Sequence, residues 1–403
     1  MLKNENITGT PKPKKRRLIS IDFIKGIAVI VMIGGHTMRF WTAASGEWMY
    51  AIMYLYYCSI LTSVCFVMFA GVTIPISYLS KVNSGWSKSR TMIHILKRTG
   101  VLLVISVIYN VIIGSITGTF IWNSFFGYYS WYVLQLIAFS IILTLFLMPY
   151  NKYFRLILGI SFILISTPLY YFLNSFGNPI SDTISKLIFY PFQDFPFLPW
   201  SGLILIGSFI GEILYTIHKS EPDIRKQKMK NFIKYIIIIG IISLFIGLLS
   251  GFRFPSPADT YWYNRAMIYA ADLSTNPFLT YGSLPYFMLV GHWTYMIYAI
   301  GGLLIIFALL VYLVDYRKVK NKLINSFAFT GKMAFSIFIY HHIGIPFLMG
   351  KIPVFWIWQI IVPYAILIPT LIWLDVKYLK GIGTIEWLMV MATSINFQKK
   401  NEK

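Results

Sequence analysis

Four ionisable residues lie in an apolar stretch near the start of the chain, namely Asp22, Lys25, His36 and Arg39. A charged side chain at the centre of a bilayer costs about 2.5–3.5 kcal/mol even on the lenient insertion scale, so such residues mark a function or a partner. Lys25 and His36 are separated by three helical turns plus about 20°, and Asp22 precedes Lys25 by three residues. We therefore predict that Asp22, Lys25 and His36 share one face of a helix.

This face suits proton transfer, because imidazole takes up and releases protons near pH 7. With Asp22 near one membrane surface, His36 lies about 21 Å further along the helix, and the face between them would line a polar cavity. A structural alternative stays open, in which Asp22 and Lys25 form an interfacial pair and His36 only hydrogen-bonds another helix. Arg39, near the far surface, is interpreted as an anchor.

A second group of ionisable residues occurs in "GKMAFSIFIYHHIGIPF", where His341 and His342 are adjacent. Adjacent helical residues point about 100° apart, so at most one of the two histidines is expected to face His36. No carboxylate lies nearby in the sequence, and a metal site needs more ligands at suitable spacing, so no metal is expected. Glu212 is interpreted either as a proton partner or as a residue at the level of the lipid headgroups.

The composition indicates whether the helices that position these residues lie in water or in a membrane. The chain has 403 residues, of which 57% are hydrophobic and 12% charged, whereas soluble domains have about 25% charged residues. We therefore predict an all-α, polytopic membrane protein with about ten transmembrane helices in one bundle. The predicted spans are approximately 22–41, 51–79, 92–114, 130–149, 154–173, 200–217, 232–250, 292–314, 332–350 and 353–375.

The distribution of positive charge predicts the orientation of the bundle. Most of the 35 Lys and Arg residues fall in the connections on the side of the N-terminus, which places both termini in the cytoplasm and the protein in the cell membrane. The exceptions are Lys25 in the first span and Arg39, Lys186, Arg253, Arg265 and Lys351 on the other side. The net charge of +21 thus reflects topology and contact with anionic membrane lipids, and nucleic-acid binding has no support.

Three regions follow: a basic cytoplasmic segment 1–21, a membrane domain 22–375 and a cytoplasmic tail 376–403. The predicted external loops 174–199 and 251–291 are rich in aromatic and polar residues, which suits either sugar contact or an interfacial cap. Cys58 and Cys65 lie about 10 Å apart along one helix, too far for a disulfide.

The opening helix "RRLISIDFIKGIAVIVMIGGHT" resembles that of transmembrane acyltransferases, in which an Asp precedes Arg-Gly and a His follows ten residues after the Arg. Lys25 stands at the Arg position, where it keeps the charge but lacks the planar fork. Further short matches follow in order along the chain. They are "FVMFAGVTIPISY", "LKRTGVLLV", "WYVLQLIAFSI", "LPWSGLILIGSFIGEIL", "GKMAFSIFIYHH" and "GIGTIEWLM".

The best resemblance is to the branch of heparan-α-glucosaminide N-acetyltransferase and its bacterial or archaeal relatives, with acyltransferase family three as the nearest alternative. The His that the animal enzyme has in the loop after the first helix has no counterpart here, where the loop offers only Glu47. The resemblance implies transfer of an acyl group, usually acetyl, from cytoplasmic acyl-CoA to an acceptor on the far side. The acceptor would be a hydroxyl or amine of a glycan, a lipid headgroup or a small molecule.

On this interpretation His36 is the general base or a transient acyl carrier. Lys25 binds the donor together with Lys97 and Arg98, and Asp22 orients Lys25. One of His341 and His342 relays a proton or positions the acceptor. Two other functions stay open: a transporter or flippase that uses the same polar face, and a scaffold that presents an acceptor to another enzyme.

Overall fold

The computed structural model describes residues 18–43, 60–116, 131–189, 195–259, 262–264 and 283–394. Several predicted features lie outside the described residues. They are the basic segment 1–17, Glu47, the start of the second span with Cys58, residues 190–194, 260–261 and 265–282 of the two unusual loops, and the tail from 395.

The described part of the chain is all-α, as predicted, and its only extended pairing is an isolated bridge between Thr42 and Ile352. The helices are α1 (Ile19–Trp41), α2 (Ile60–Val82), α3 (Lys88–Ile116), α4 (Val133–Leu147), α5 (Lys152–Ser175), α6 (Pro179–Phe189), α7 (Phe197–Lys219), α8 (Pro222–Gly251), α9 (Trp293–Tyr316), α10 (Lys322–Lys332), α11 (Ala334–Tyr340), α12 (Val354–Tyr378) and α13 (Ile385–Ser394).

Eight of these helices are long and apolar enough to cross a membrane, which confirms a polytopic membrane protein. They are α1, α2, α3, α5, α7, α8, α9 and α12. Two of the ten predicted spans differ within the described residues. Helix α4 has 15 residues, fewer than the roughly 20 that a span usually needs. The predicted span 332–350 is the second half of a bent pair, because α10 and the segment Ala334–Leu348 meet at an angle of 74°.

The bend has a local cause. Met333, between the two halves, has φ −102° and ψ 25°, which is not α-helical. Further along, His341–Gly344 forms a 3₁₀ turn, and Pro346 in the next turn offers no backbone N–H. The two adjacent histidines therefore lie in a tight, irregular turn and not in the middle of a regular helix.

Glycines bring α1 and α10 into backbone contact. A Cβ atom added at Gly26 would lie 1.9 Å from the carbonyl oxygen of Phe327, and one added at Gly331 would lie 1.7 Å from that of Asp22. No larger residue fits at either position without separating the helices. Such contacts are how membrane helices associate where burial of apolar surface gives no driving force.

Arg155 and Glu212 form an ion pair between α5 and α7. The Arg155 side chain is fully buried and also donates to Ser208 Oγ at 3.1 Å and to the carbonyl of Leu147 at 3.3 Å. Of the two interpretations of Glu212, neither included this partner. Removing one member of a buried pair costs about 3–5 kcal/mol, so the structural role accounts for both residues.

Both unusual loops contain ordered elements. Helix α6 lies within 174–199 and has an ion pair of 2.7 Å between Asp182 and Lys186. In the second loop, Asp259 accepts hydrogen bonds from Tyr286, at 2.6 Å, and from Tyr171. Burial lowers the pKa of His292, just before α9, to about 3. It is therefore neutral and accepts from the backbone N–H of Thr294.

Candidate active site

Helix α1, which carries His36, is fixed at its beginning by a carboxylate from α9. The backbone N–H groups of Ile19 and Ser20 donate to Asp315 at 3.1 and 3.3 Å. The first amides of a helix have no partner within the helix, and the helix dipole favours negative charge there. Asp315 thus anchors the starting end of α1 to the final turn of α9.

Helix α11, which leads into His341 and His342, is held in the same way by α13. The carboxylate of Glu386 accepts from the backbone N–H groups of Phe335, at 3.1 Å, and Ser336, at 3.4 Å, and from the Ser336 hydroxyl. Sequence reasoning missed this cap because its donors are 50 residues away along the chain.

His36, His341 and His342 come together to form what we call the histidine cluster. Nδ1 of His36 lies 2.9 Å from Nε2 of His341. The ring centres of His36 and His342 are 4.9 Å apart, and those of His341 and His342 are 3.9 Å apart. The expectation that at most one of the adjacent histidines would face His36 is therefore wrong. It assumed a regular helix, whereas the two residues begin a 3₁₀ turn whose rings both lie beside α1.

The hydrogen bonds of the cluster assign its protons. Nδ1 of His341 lies 3.2 Å from the carbonyl of Ile337 and must donate to it. Nε2 of His341 is then the acceptor, so Nδ1 of His36 is the donor in the bond between them. His36 consequently carries its free lone pair on Nε2. A neutral imidazole with a free lone pair, backed by an acceptor on its other nitrogen, is suited to act as a general base.

Two aromatic residues complete the surroundings of the cluster. The Tyr109 hydroxyl of α3 lies 2.9 Å from Nε2 of His342, whose Nδ1 is 3.1 Å from the carbonyl of Phe338. The Phe338 ring contacts the rings of all three histidines. Sequence reasoning missed both residues, since nothing distinguishes one more Tyr or Phe in an apolar helix. His341 and His342 are buried, and His36 keeps some exposed surface.

Asp22 and Lys25 lie on α1 but outside the cluster. Eleven residues separate Lys25 from His36, which is about 16 Å along the helix. Asp22 is buried, Lys25 is half-buried, and the charge of Lys25 reaches the Cys65 thiol of α2. Arg39 is exposed, with its guanidinium 5.9 Å from the Phe40 ring, in keeping with an anchor.

Lys97 and Arg98 belong to a second group, which we call the basic cluster: Lys81, Trp86, Arg90, Lys97 and Arg98. The Trp86 ring lies 4.4 Å from the guanidinium of Arg90 and 5.0 Å from the ammonium of Lys81. All four cations act on His94, whose ring packs against Trp86. Sequence reasoning identified Lys97 and Arg98 and missed Lys81 and Trp86. Arg98 also lies within electrostatic reach of Glu386.

The histidine cluster has the ligand types of a transition-metal site. One nitrogen from each of its three residues lies within 4.8 Å of the others. The expectation of no metal was based on the lack of a nearby carboxylate and of further ligands at suitable spacing. Among the described residues, the structure brings three imidazoles together and no carboxylate, so only the second reason is overturned.

A family model for the catalytic region of heparan-alpha-glucosaminide N-acetyltransferase matches residues 17–252. The chain belongs to this family. The matched region includes Asp22, Lys25, His36, Lys97 and Arg98, whereas His341 and His342 lie beyond it. Membership supports a transferase function, and the apolar helices support a membrane location. No curated protein and no solved structure matched the chain.

Proposed function

We propose that this protein is a membrane-embedded acyltransferase that moves an acyl group, in the first instance acetyl, from acyl-CoA to an extracytoplasmic acceptor. The acceptor is a hydroxyl or amine of a glycan or a similar molecule. Family membership supports the transferase class, and the activity after which the family is named, glucosaminide N-acetyl transfer, supports an acetyl group and a sugar acceptor. The positive charge of the connections supports a donor on the cytoplasmic side of the cell membrane.

The observation that carries this proposal is the hydrogen bond of 2.9 Å between His36 and His341. In the proposed reaction, Nε2 of His36 takes the proton of the acceptor hydroxyl or amine while the acceptor attacks the thioester carbonyl. The C–S bond then breaks, and the CoA thiolate leaves with the proton that His36 held. His341 stabilises the transient imidazolium by accepting from Nδ1–H, a charge-assisted hydrogen bond.

A covalent variant uses the same atom. Nε2 of His36 attacks the thioester carbonyl first, the C–S bond breaks, and CoA leaves as its thiolate while the acyl group stays on Nε2. The acceptor then attacks the acyl group and the C–N bond breaks. The acceptor's proton passes to the Nε2 lone pair that this step frees and then to solvent, where it balances the thiolate. This route separates the donor and acceptor steps, which suits substrates that reach the site from opposite faces of a membrane.

Lys25 and the basic cluster are proposed to hold the donor. Both contain cations that attract the phosphates of CoA. The separation of about 16 Å between Lys25 and His36 along α1 leaves room for an extended pantetheine arm. Asp22 is proposed to orient Lys25.

A transporter or flippase is the second candidate, because one observation favours it. Bent and broken helices at membrane depth are common where transporters line a cavity, and α10 and the following segment meet at 74°. Such a protein moves its substrate without consuming a thioester, so release of CoA discriminates the two functions.

The experiment uses purified full-length protein with acetyl-CoA labelled in the acetyl group, in the presence of membrane glycans and lipids. We expect acceptor-dependent CoA release and transfer of label by the wild type and by His218→Ala, a control at the end of α7. His36→Ala is expected to be at least about 100-fold slower. Full activity of His36→Ala would contradict the assignment of the base, and absence of CoA release by the wild type would favour the transporter.

A further inference from the structure

The histidine cluster is assembled from segments that are 305 residues apart in the chain. Its three imidazoles each present a nitrogen to one shared space, and these nitrogens lie within 4.8 Å of one another. A proton relay needs only the pair of His36 and His341. The third ring, that of His342, has no part in the proposed transfer, yet it lies against both others.

Two of the rings are oriented as in metal centres. His341 and His342 each place Nδ1 next to a backbone carbonyl, that of Ile337 at 3.2 Å and that of Phe338 at 3.1 Å. Histidines that bind metals usually donate their other ring N–H to such an acceptor, which fixes the ring and its tautomer. Both Nε2 atoms are thereby acceptors. That of His341 accepts from Nδ1–H of His36 at 2.9 Å and that of His342 from the Tyr109 hydroxyl at 2.9 Å, so a metal ion at this position displaces both donors.

The distances suit one small ion. Zinc binds imidazole nitrogen at about 2.0–2.1 Å, so two nitrogens in a tetrahedral site are roughly 3.4 Å apart. The pair of His36 and His341, at 2.9 Å, needs to open slightly, and the widest pair needs to close from 4.8 Å or less.

We propose that His36, His341 and His342 form a transition-metal site that takes Zn²⁺. The ion replaces the proton that His36 Nδ1 shares with His341 Nε2. Nε2 of His342 becomes the third ligand when the ion displaces the Tyr109 hydroxyl, which lies 2.9 Å from it. Imidazole nitrogen selects zinc and its neighbours over Mg²⁺ and Ca²⁺, which require oxygen ligands. The charge of Arg39 acts on His36, so the fourth position favours an anion such as chloride or hydroxide. The exposed part of His36 is the route of entry.

Occupation of this site switches off the base, a consequence that rests on the proposed function. When Nδ1 of His36 binds the metal, it gives up its hydrogen, and Nε2 takes one from solvent. The ring stays neutral, but neither nitrogen retains a free lone pair. Zn²⁺ is therefore an inhibitor of acyl transfer, and a chelator reverses the inhibition.

The binding test uses Co²⁺ as a visible probe for Zn²⁺, with full-length protein purified on a tag that contains no histidine. Tetrahedral Co²⁺ absorbs visible light through d–d transitions, and Zn²⁺ should displace it. We expect one equivalent per chain in the wild type and in His218→Ala, and loss of the absorption in each of His36→Ala, His341→Ala and His342→Ala. The variant His342→Cys should retain the ion and add a charge-transfer band from thiolate to Co²⁺. Retention of Co²⁺ by His342→Cys would also show that a substitution at position 342 leaves the protein folded.

Absence of stoichiometric Co²⁺ binding, or binding that survives all three alanine substitutions, would overturn the site. Inhibition is measured separately, as acetyl transfer with added Zn²⁺ and then with EDTA. An active wild type that binds zinc and is not inhibited would overturn the switch. Metal binding without any acetyl transfer would leave the site standing and contradict the proposed function, so the two failures are distinguishable.

Discussion

The histidine cluster joins two segments 305 residues apart, whereas the basic cluster comes from a single stretch between Lys81 and Arg98. The first is mostly buried and consists of imidazoles in direct contact. The second consists of four cations, two of which lie over one indole ring. We infer from this contrast that the histidine cluster carries out the chemical step and that the basic cluster binds the donor. Changes in the histidine cluster are expected to lower kcat, and changes in the basic cluster to raise the KM for acetyl-CoA.

The largest effect in this comparison, apart from loss of His36 itself, is expected for His341→Ala. It removes the acceptor that stabilises the His36 imidazolium, and a hydrogen bond to a charged group contributes about 1.5–3 kcal/mol. Steady-state kinetics should show kcat lowered about 10- to 100-fold with the KM for acetyl-CoA unchanged. A change confined to KM would mean that His341 contributes to binding of acetyl-CoA and not to the chemical step, which would contradict the distinction between the two clusters.

Lys25 should behave like the basic cluster although it lies on the same helix as His36. We expect Lys25→Ala to raise the KM for acetyl-CoA about tenfold, which corresponds to about 1.4 kcal/mol of binding. Lys25→Arg should retain most of the affinity because it keeps the charge. Equal damage by both substitutions would mean that the shape of the ammonium matters more than its charge.

Glu386 tests whether the position of the histidine cluster depends on the cap of α11. Loss of a helix cap costs about 0.5–2 kcal/mol, so Glu386→Ala should lower the Tm in detergent and reduce kcat several-fold. Glu386→Gln keeps an acceptor oxygen, so its Tm and kcat should lie between those of the wild type and those of Glu386→Ala. Glu221→Ala is the matched control, since Glu221 precedes α8 without any hydrogen bond from its side chain to the helix. If Glu386→Ala and this control have the same Tm and kcat, the Glu386 cap does not position the histidine cluster.

The smallest effect is expected for Lys97→Ala, because three other cations of the basic cluster remain. The KM for acetyl-CoA should rise about two- to fivefold, and the difference from the wild type should shrink in high salt, which screens exposed charges. Lys226→Ala, exposed on α8, is the control. A lowered kcat in Lys97→Ala would contradict a role confined to binding.

The same contrast explains what the sequence could predict. The face of α1 that carries Asp22, Lys25 and His36 follows from helical spacing alone, and the membrane helices follow from hydropathy. The basic stretch around Lys97 and Arg98 was visible because its members are neighbours in the chain. Each of these features depends only on residues that are close together in the chain, so it can be read from the sequence.

The remaining features depend on distant contacts. The bend between α10 and α11 lies at Met333, close to the point where Gly331 packs against the backbone of α1, and no hydropathy pattern contains that contact. The joint approach of His341 and His342 to His36 depends on the 3₁₀ turn, where the 100° spacing of a regular helix misleads. Glu386 and Asp315 cap helices whose first residues are far away in the chain. A local capping pattern in the sequence therefore cannot predict these two caps.

The measurement that tests the central claim most directly is chemical rescue of His36→Ala. Labelled acetyl transfer is followed with and without added imidazole, which fits the space left by the lost ring and can take the acceptor's proton. We expect a strongly reduced rate that imidazole partly restores in His36→Ala, with no stimulation of the wild type or of His218→Ala. Wild-type rates in His36→Ala without imidazole would contradict the central claim.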